Sequence, residues 1–195
     1  MKAELQHNFK TKCKSLPELF EGVNKMSQLM YKIEKLSKKD PLNYDPDKYK
    51  GDAFEFFIEL FLMVHPCDNR VGVHNYKPTQ ENDNGVDGIG VNIRDEKCVV
   101  QIKYRSNPKE PLTANKDHLS NMFVDGQLTY NVVADITNPK NYKHFIFTTA
   151  SGLHYYTETE MFKNKVRCFS FKHFKSMLDN NKVFWDSARE IVGKM

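Results

Sequence analysis

The sequence predicts an α/β protein, a mixed sheet flanked by helices and preceded by a helical N-terminal extension. Three observations predict it. Alternating and continuous apolar runs typical of strands recur between residues 71 and 171, and segments of helical periodicity stand before, among and after them. The order that results is helix, three strands, helix, strand, helix, strand, helices. A lysine-rich helical stretch precedes all of this, set off by a proline-containing connector at 37–46.

With 195 residues, 39% hydrophobic and 12% aromatic, the chain has the material for one sizeable core and does not read as disordered. Residues 1–50 carry eleven lysines against seven acids, whereas the remainder balances, so the whole formal charge of +4 sits in the first quarter. Such a basic segment reads either as a contact to a polyanion or as a solvated helix face. Cys13, Cys67, Cys98 and Cys168 are far apart with no Cys-x-x-Cys pair, which excludes a sequence signature for zinc or a disulfide framework. The start of the chain lacks a signal-peptide core and no apolar run reaches membrane-spanning length, so a soluble, cytoplasmic protein with no membrane partner is expected.

The elements follow from local chemistry. Ser15 and Glu18 have capping-box spacing, and Leu16, Leu19, Phe20, Val23, Met26, Met30 and Ile33 recur at three and four, with Gly22 as a break. A second helix is expected from a cap at Asp47 to about residue 64, with Phe54, Phe57, Leu60, Phe61 and Val64 as its apolar stripe. Asp52, Glu55 and Glu59 fall on another face. Pro66 and the polar residues after it end this helix. Strands are expected at 71–77, 86–93 and 97–105, the last two joined as a hairpin through Arg94, Asp95 and Glu96. Alternation in the third puts Gln101 and Lys103 with Val99 on one face. A helix over 113–130 follows, with Leu119, Met122, Phe123 and Val124 buried, then a strand at 142–150, a helix opened by Thr157 and Glu160, a strand at 166–171, and helices near 171–178 and 183–192.

The chemistry-bearing residues cluster in 51–105. Glu55 stands on the helix, Asp87 lies between Gly85 and Gly88, where the backbone can approach a ligand closely, and Lys103 follows one strand later. Phosphodiester hydrolysis needs an activated water, neutralised phosphate charge and a stabilised leaving oxygen. Carboxylates holding Mg²⁺, with a lysine beside them, supply that set. The carbonyl of Ile102 is available between Gln101 and Lys103. Each piece has a plain reading too: Gly-Val-Asp-Gly is commonly a turn, Gln-x-Lys pairs are common on exposed strands, and a lone glutamate is usually solvated. The conjunction of all three distinguishes the stretch. Glu59 and Asp83 read as supporting or solvated residues, and His65, His74, His118, His144 and His154 have no ligand spacing.

Gly51-Asp52-Ala53-Phe54-Glu55, Asn84-Gly85-Val86-Asp87-Gly88 and Gln101-Ile102-Lys103-Tyr104-Arg105 together resemble the PD-(D/E)XK nuclease superfamily, most closely its Mrr-type restriction endonuclease branch, which commonly has Gln before x-Lys. The resemblance spans about residues 48 to 180 and includes the strands Phe145-Ile146-Phe147-Thr148-Thr149 and Val166-Arg167-Cys168-Phe169-Ser170-Phe171. It implies a restriction-endonuclease-like three-layer sandwich at 46–195 with a basic helical extension at 1–45. It also implies a metal-dependent DNA endonuclease using Mg²⁺, with Mn²⁺ as substitute. Asp87, Glu55, Gln101 and Ile102 would hold the metal, and Lys103 would assist the nucleophile. The neutral Gln101 supplies an oxygen without a charge. Tyr104, Arg105, Lys109 and Lys116 after the catalytic strand, and Lys35, Lys38 and Lys39 in the extension, are the candidate DNA contacts. Tyr104 and Arg105 read equally as strand packing and solvent. Duplex cleavage needs two active sites, so a homodimer is one expectation and a nicking or structure-selective monomer the other. The alternatives are a nuclease-fold DNA-binding module without catalysis, or a subunit of a larger DNA-processing complex recruited through residues 1–45.

Overall fold

The computed structural model describes residues 5–9, 16–39, 45–65, 70–79, 85–138, 140–163 and 165–194. Several expectations lie outside these residues: the Ser15 cap, Cys13 and Cys67, the helix terminator at 66–69, Asp83 and Asn84, and much of the connector. The side chain of Glu160 is likewise not described. Cys98 and Cys168 are free thiols.

A five-stranded mixed sheet organises the chain, in the order β1 (Val73–Pro78), β2 (Gly88–Asn92), β3 (Lys97–Lys103), β4 (His144–Thr148) and β5 (Val166–Phe169). The first three strands form an antiparallel meander and the last two add in parallel. Asn92 builds the β2–β3 turn. Its side-chain oxygen accepts from the backbone N–H groups of Arg94 (2.9 Å) and Glu96 (3.1 Å), and Asp95 takes the left-handed conformation, at φ 60°, that the reversal requires. The parallel pairings need crossovers, supplied by the segment containing α4 (Asn121–Leu128) and by α5 (Tyr155–Lys163).

Helices cover both faces. On one face α1 (Leu16–Phe20), α2 (Met26–Ser37), α3 (Pro46–Val64), α6 (Phe171–Leu178) and α7 (Lys182–Gly193) build a single core with Cys98, Val100, Ile102, Phe145 and Phe147. On the other face Val99 and Ile146 pack with Val86, Leu112, Leu119, Met122 and Val132. The strict alternation of β3 thus feeds two cores, which an α/β architecture with both sheet faces covered requires. No helix among the described residues is long and apolar enough to cross a membrane.

α3 is the central helix. Its cap is Asp45, whose carboxylate accepts from the N–H groups of Asp47 (2.9 Å) and Lys48 (2.8 Å), with Pro46 in the first turn. The expected cap, Asp47, instead pairs with Lys50 at 2.6 Å. Its apolar surface also exceeds one stripe. Phe56 is buried against Phe9 and Phe20, while Phe57 stacks on Trp185. The extension is therefore built into the main core: Leu16, Leu19, Phe20, Leu29 and Ile33 share it with the residues beyond 45.

The helix expected over 113–130 is shorter. Asp117 accepts from the Thr113 N–H at 2.6 Å, and His118 has a positive φ of 51°, so turns occupy 114–120 and only residues 121–128 are helical. Val124 is exposed, not buried.

Candidate active site

Asp87 sits where the β2–β3 register ends. Gly88 pairs with Val100, but the next residue departs from the ladder: the Asp87 N–H also donates to the Val100 carbonyl (2.9 Å), and Val86 turns into the second core. The Asp87 carboxylate is thereby free to accept from the Ile102 N–H. Its carbonyl accepts from the Tyr76 hydroxyl and the Thr79 N–H, both at 3.1 Å, so the backbone here is held from two sides.

The flanking glycines serve this packing. A Cβ on Gly88 would stand 2.1 Å from the Tyr76 ring, and one on Gly85 would stand 2.5 Å from the Asn121 backbone. The expected close approach at Gly85 and Gly88 is thus an approach of the protein's own ring and helix, not an opening for a ligand.

Glu55 reaches the site from α3, and its carboxylate lies near enough to raise the proton affinity of Asp87. Burial first and the Glu55 charge second push the Asp87 carboxyl up to about 7, opposed by Lys103 and by the Ile102 N–H. The same two carboxylates, after burial, push the Tyr76 phenol well above its usual range. Glu55, Asp87 and Lys103 therefore form one electrostatic unit.

Gln101 is placed differently. Parallel pairing with Ile146 sets it against the second core, whereas Glu55 belongs to the helical layer on the first. It is 0% exposed, and both of its amide atoms are buried without a hydrogen-bond partner. Ile102, expected to offer its carbonyl, engages Asp87 through its N–H.

The site also holds residues with no signal in the sequence. The His7 Nε2 lies 3.0 Å from Glu55, and the backbone N–H groups of Gln6 and His7 donate to the two carboxylate oxygens of Glu59 at 2.6 and 3.0 Å. Glu59, expected to be supporting or solvated, is buried and anchors the start of the described chain.

Among the described residues no group of three His, Cys, Asp or Glu side chains is arranged to hold a metal ion. The donors present are the two carboxylates of Glu55 and Asp87; the unpartnered amide of Gln101 lies against the second core instead. An all-oxygen set with one or two carboxylates fits Mg²⁺, which retains several waters. Two acids that repel each other's charge in a partly buried site also gain from a divalent counter-charge.

The candidate DNA contacts divide. Tyr104 turns inward, its hydroxyl donating to Glu34 (2.9 Å) and its ring packing edge-on to Phe54. Arg105 pairs with buried Asp117 and donates to the Tyr104 carbonyl. Those two side chains are engaged in structure. Lys109, Lys116, Lys35 and Lys38 are exposed, and Lys39 is exposed but paired with Glu18 at 2.8 Å.

The α/β class and its five-stranded mixed sheet are what the fold defines. Comparisons of the chain with protein-family models, with curated proteins and with solved structures give no match.

Proposed function

We propose that this chain is a Mg²⁺-dependent deoxyribonuclease with a restriction-endonuclease-like core of the PD-(D/E)XK type. The observation that carries the reading is the Asp87 carboxyl, raised to about 7 by burial and by Glu55, with Lys103 opposing the shift from the next strand. Raised carboxyls beside a cation are characteristic of sites built for chemistry.

In this reading Asp87 and Glu55 hold the cation, with the Ile102 carbonyl as a further oxygen donor; Gln101, set against the second core, is not among them. The chemistry Mg²⁺ supplies when bound is neutralisation of phosphate charge and activation of water. Lys103 orients the attacking water and shares the phosphate charge. Tyr76 and Thr79 keep the Asp87 backbone in place, and the Ile102 N–H orients its carboxylate. The exposed Lys109 and Lys116, with Lys35 and Lys38, provide sequence-independent phosphate contacts. A cut leaving a 5′-phosphate is the expected product.

Two observations favour a second reading, a nuclease fold that binds DNA without cutting it. Gln101 faces the second core, and one Asp87 oxygen is already occupied by the Ile102 N–H. Plasmid incubated with the purified protein and Mg²⁺ or Mn²⁺ separates the two. Nicking or degradation that is lost in both Asp87→Ala and Lys103→Ala supports catalysis by these residues. Plasmid binding without cleavage by the wild type supports the second reading and overturns the first.

A further inference from the structure

The segment at residues 5–9 is docked at both ends and bonded in the middle. Leu5 and Phe9 are buried in the first core, and the Phe9 ring meets Tyr49 edge-on at 5.2 Å between centroids. Between these anchors, the N–H groups of Gln6 and His7 straddle the Glu59 carboxylate. Glu55 lies one turn earlier on the same helix, so fixing the segment on Glu59 presents the His7 ring to Glu55.

The hydrogen bonds of the ring define its tautomer. Phe9 donates its backbone N–H to the His7 Nδ1 at 3.1 Å, so Nδ1 carries the lone pair. The proton is then on Nε2, which faces the Glu55 Oε2 at 3.0 Å and donates to it. An imidazole that donates from Nε2 in this position orients the carboxylate it meets. One oxygen of Glu55 is pinned, and the carboxylate is held in one orientation. Hydrogen bonds of this kind to a ligating side chain typically change metal affinity by about 10- to 100-fold.

We propose that residues 5–9 form a strap belonging to the cation site, with His7 as the positioning residue that aims Glu55 at the metal. The inference rests on the reading of Glu55 and Asp87 as metal-holding residues, and it moves part of the site into the segment ahead of the α/β core.

Mn²⁺ binding to the full-length protein, followed by electron paramagnetic resonance without DNA, tests it. His7→Gln keeps an N–H donor near the Nε2 position but loses the Nδ1 acceptor, whereas His7→Ala loses both. Expected is roughly tenfold weaker Mn²⁺ binding in His7→Ala, near-wild-type binding in His7→Gln, and none in Asp87→Ala. A purely structural role would weaken both His7 variants alike. That pattern, or wild-type binding in His7→Ala while Asp87→Ala fails, overturns the role of His7 and leaves the metal site standing. Wild-type binding in Asp87→Ala overturns the metal site itself and the strap inference with it. Thermal melts of each variant, compared by circular dichroism, identify any loss that comes from unfolding, and Glu59→Ala, which releases the strap with His7 intact, is expected to weaken Mn²⁺ binding in the same direction.

Discussion

In the folded chain Asp87 keeps its proton to about pH 7, whereas an unfolded aspartate releases it near 4. The folded state binds that proton more tightly, so the metal-free protein holds this contribution to stability in full below about pH 4 and loses it as pH rises to about 7. Asp87→Asn removes the titrating group. The variant is expected to out-melt the wild type by a wider margin at pH 8 than at pH 5, a difference on the order of 2 kcal/mol or about 5 °C in Tm. Saturating Mg²⁺ at pH 8 should raise the wild-type Tm and leave that of the variant unchanged. Equal wild-type Tm at the two pH values, with equal margins, would remove the acid pair as an electrostatic unit. Asp87, Glu55 and Lys103 were legible as a group because each belongs to a short local motif. His7 was not, since 48 residues separate it from Glu55 and no periodicity marks it. Strand alternation puts Gln101 on one face with Lys103. What the alternation does not tell is that Asp87 leaves the ladder and that its carboxylate accepts from the Ile102 N–H.

At the scale of elements, β3 and its hairpin with β2 were legible from alternation, and α6 and α7 from periodicity, because in each the local pattern matches the surface it packs on. Failures came where side chains bond locally against the pattern. The Asp117 bond to Thr113 holds turns at 114–120, so the helix that the apolar spacing at 119–123 suggests begins only at residue 121. At α3 the available clue was Pro46: proline favours the first helical position, which makes the residue before it, Asp45, the cap. Asp45→Ala should cost about 1 kcal/mol in urea unfolding. Asp47→Ala, which removes only a salt bridge with a largely exposed acid, should cost less, and the reverse order would reassign the cap.

Across the whole molecule, the mixed sheet could be read from the order of elements, but the depth of the extension in the core could not. Nothing in the stripe of α3 tells that Phe56 faces Phe9 and Phe20, nor that the lysine-rich helices close on the far end of the chain. That closure is direct: the Met26 N–H donates to Asp179 (2.9 Å), the Asn180 N–H to the Asn24 carbonyl (2.8 Å), and Arg189 to the Val23 carbonyl (2.7 Å). Trp185 then stacks on Phe57, and Phe184 meets Phe57 and Phe61 edge-on. A chain ending at residue 181 is expected to keep far-ultraviolet circular dichroism while losing near-ultraviolet signal and binding the dye ANS. A sharp cooperative melt for that chain would show that α7 is dispensable.

The roof that Phe184 and Trp185 place over α3 also bears on timing during translation. Both acids are synthesised well before α7, by roughly 5–20 s at ordinary elongation rates. Until α7 emerges from the ribosome, the helix that carries Glu55 lacks its outer packing, so a nascent or interrupted polypeptide contains both acids without the closed core around that helix.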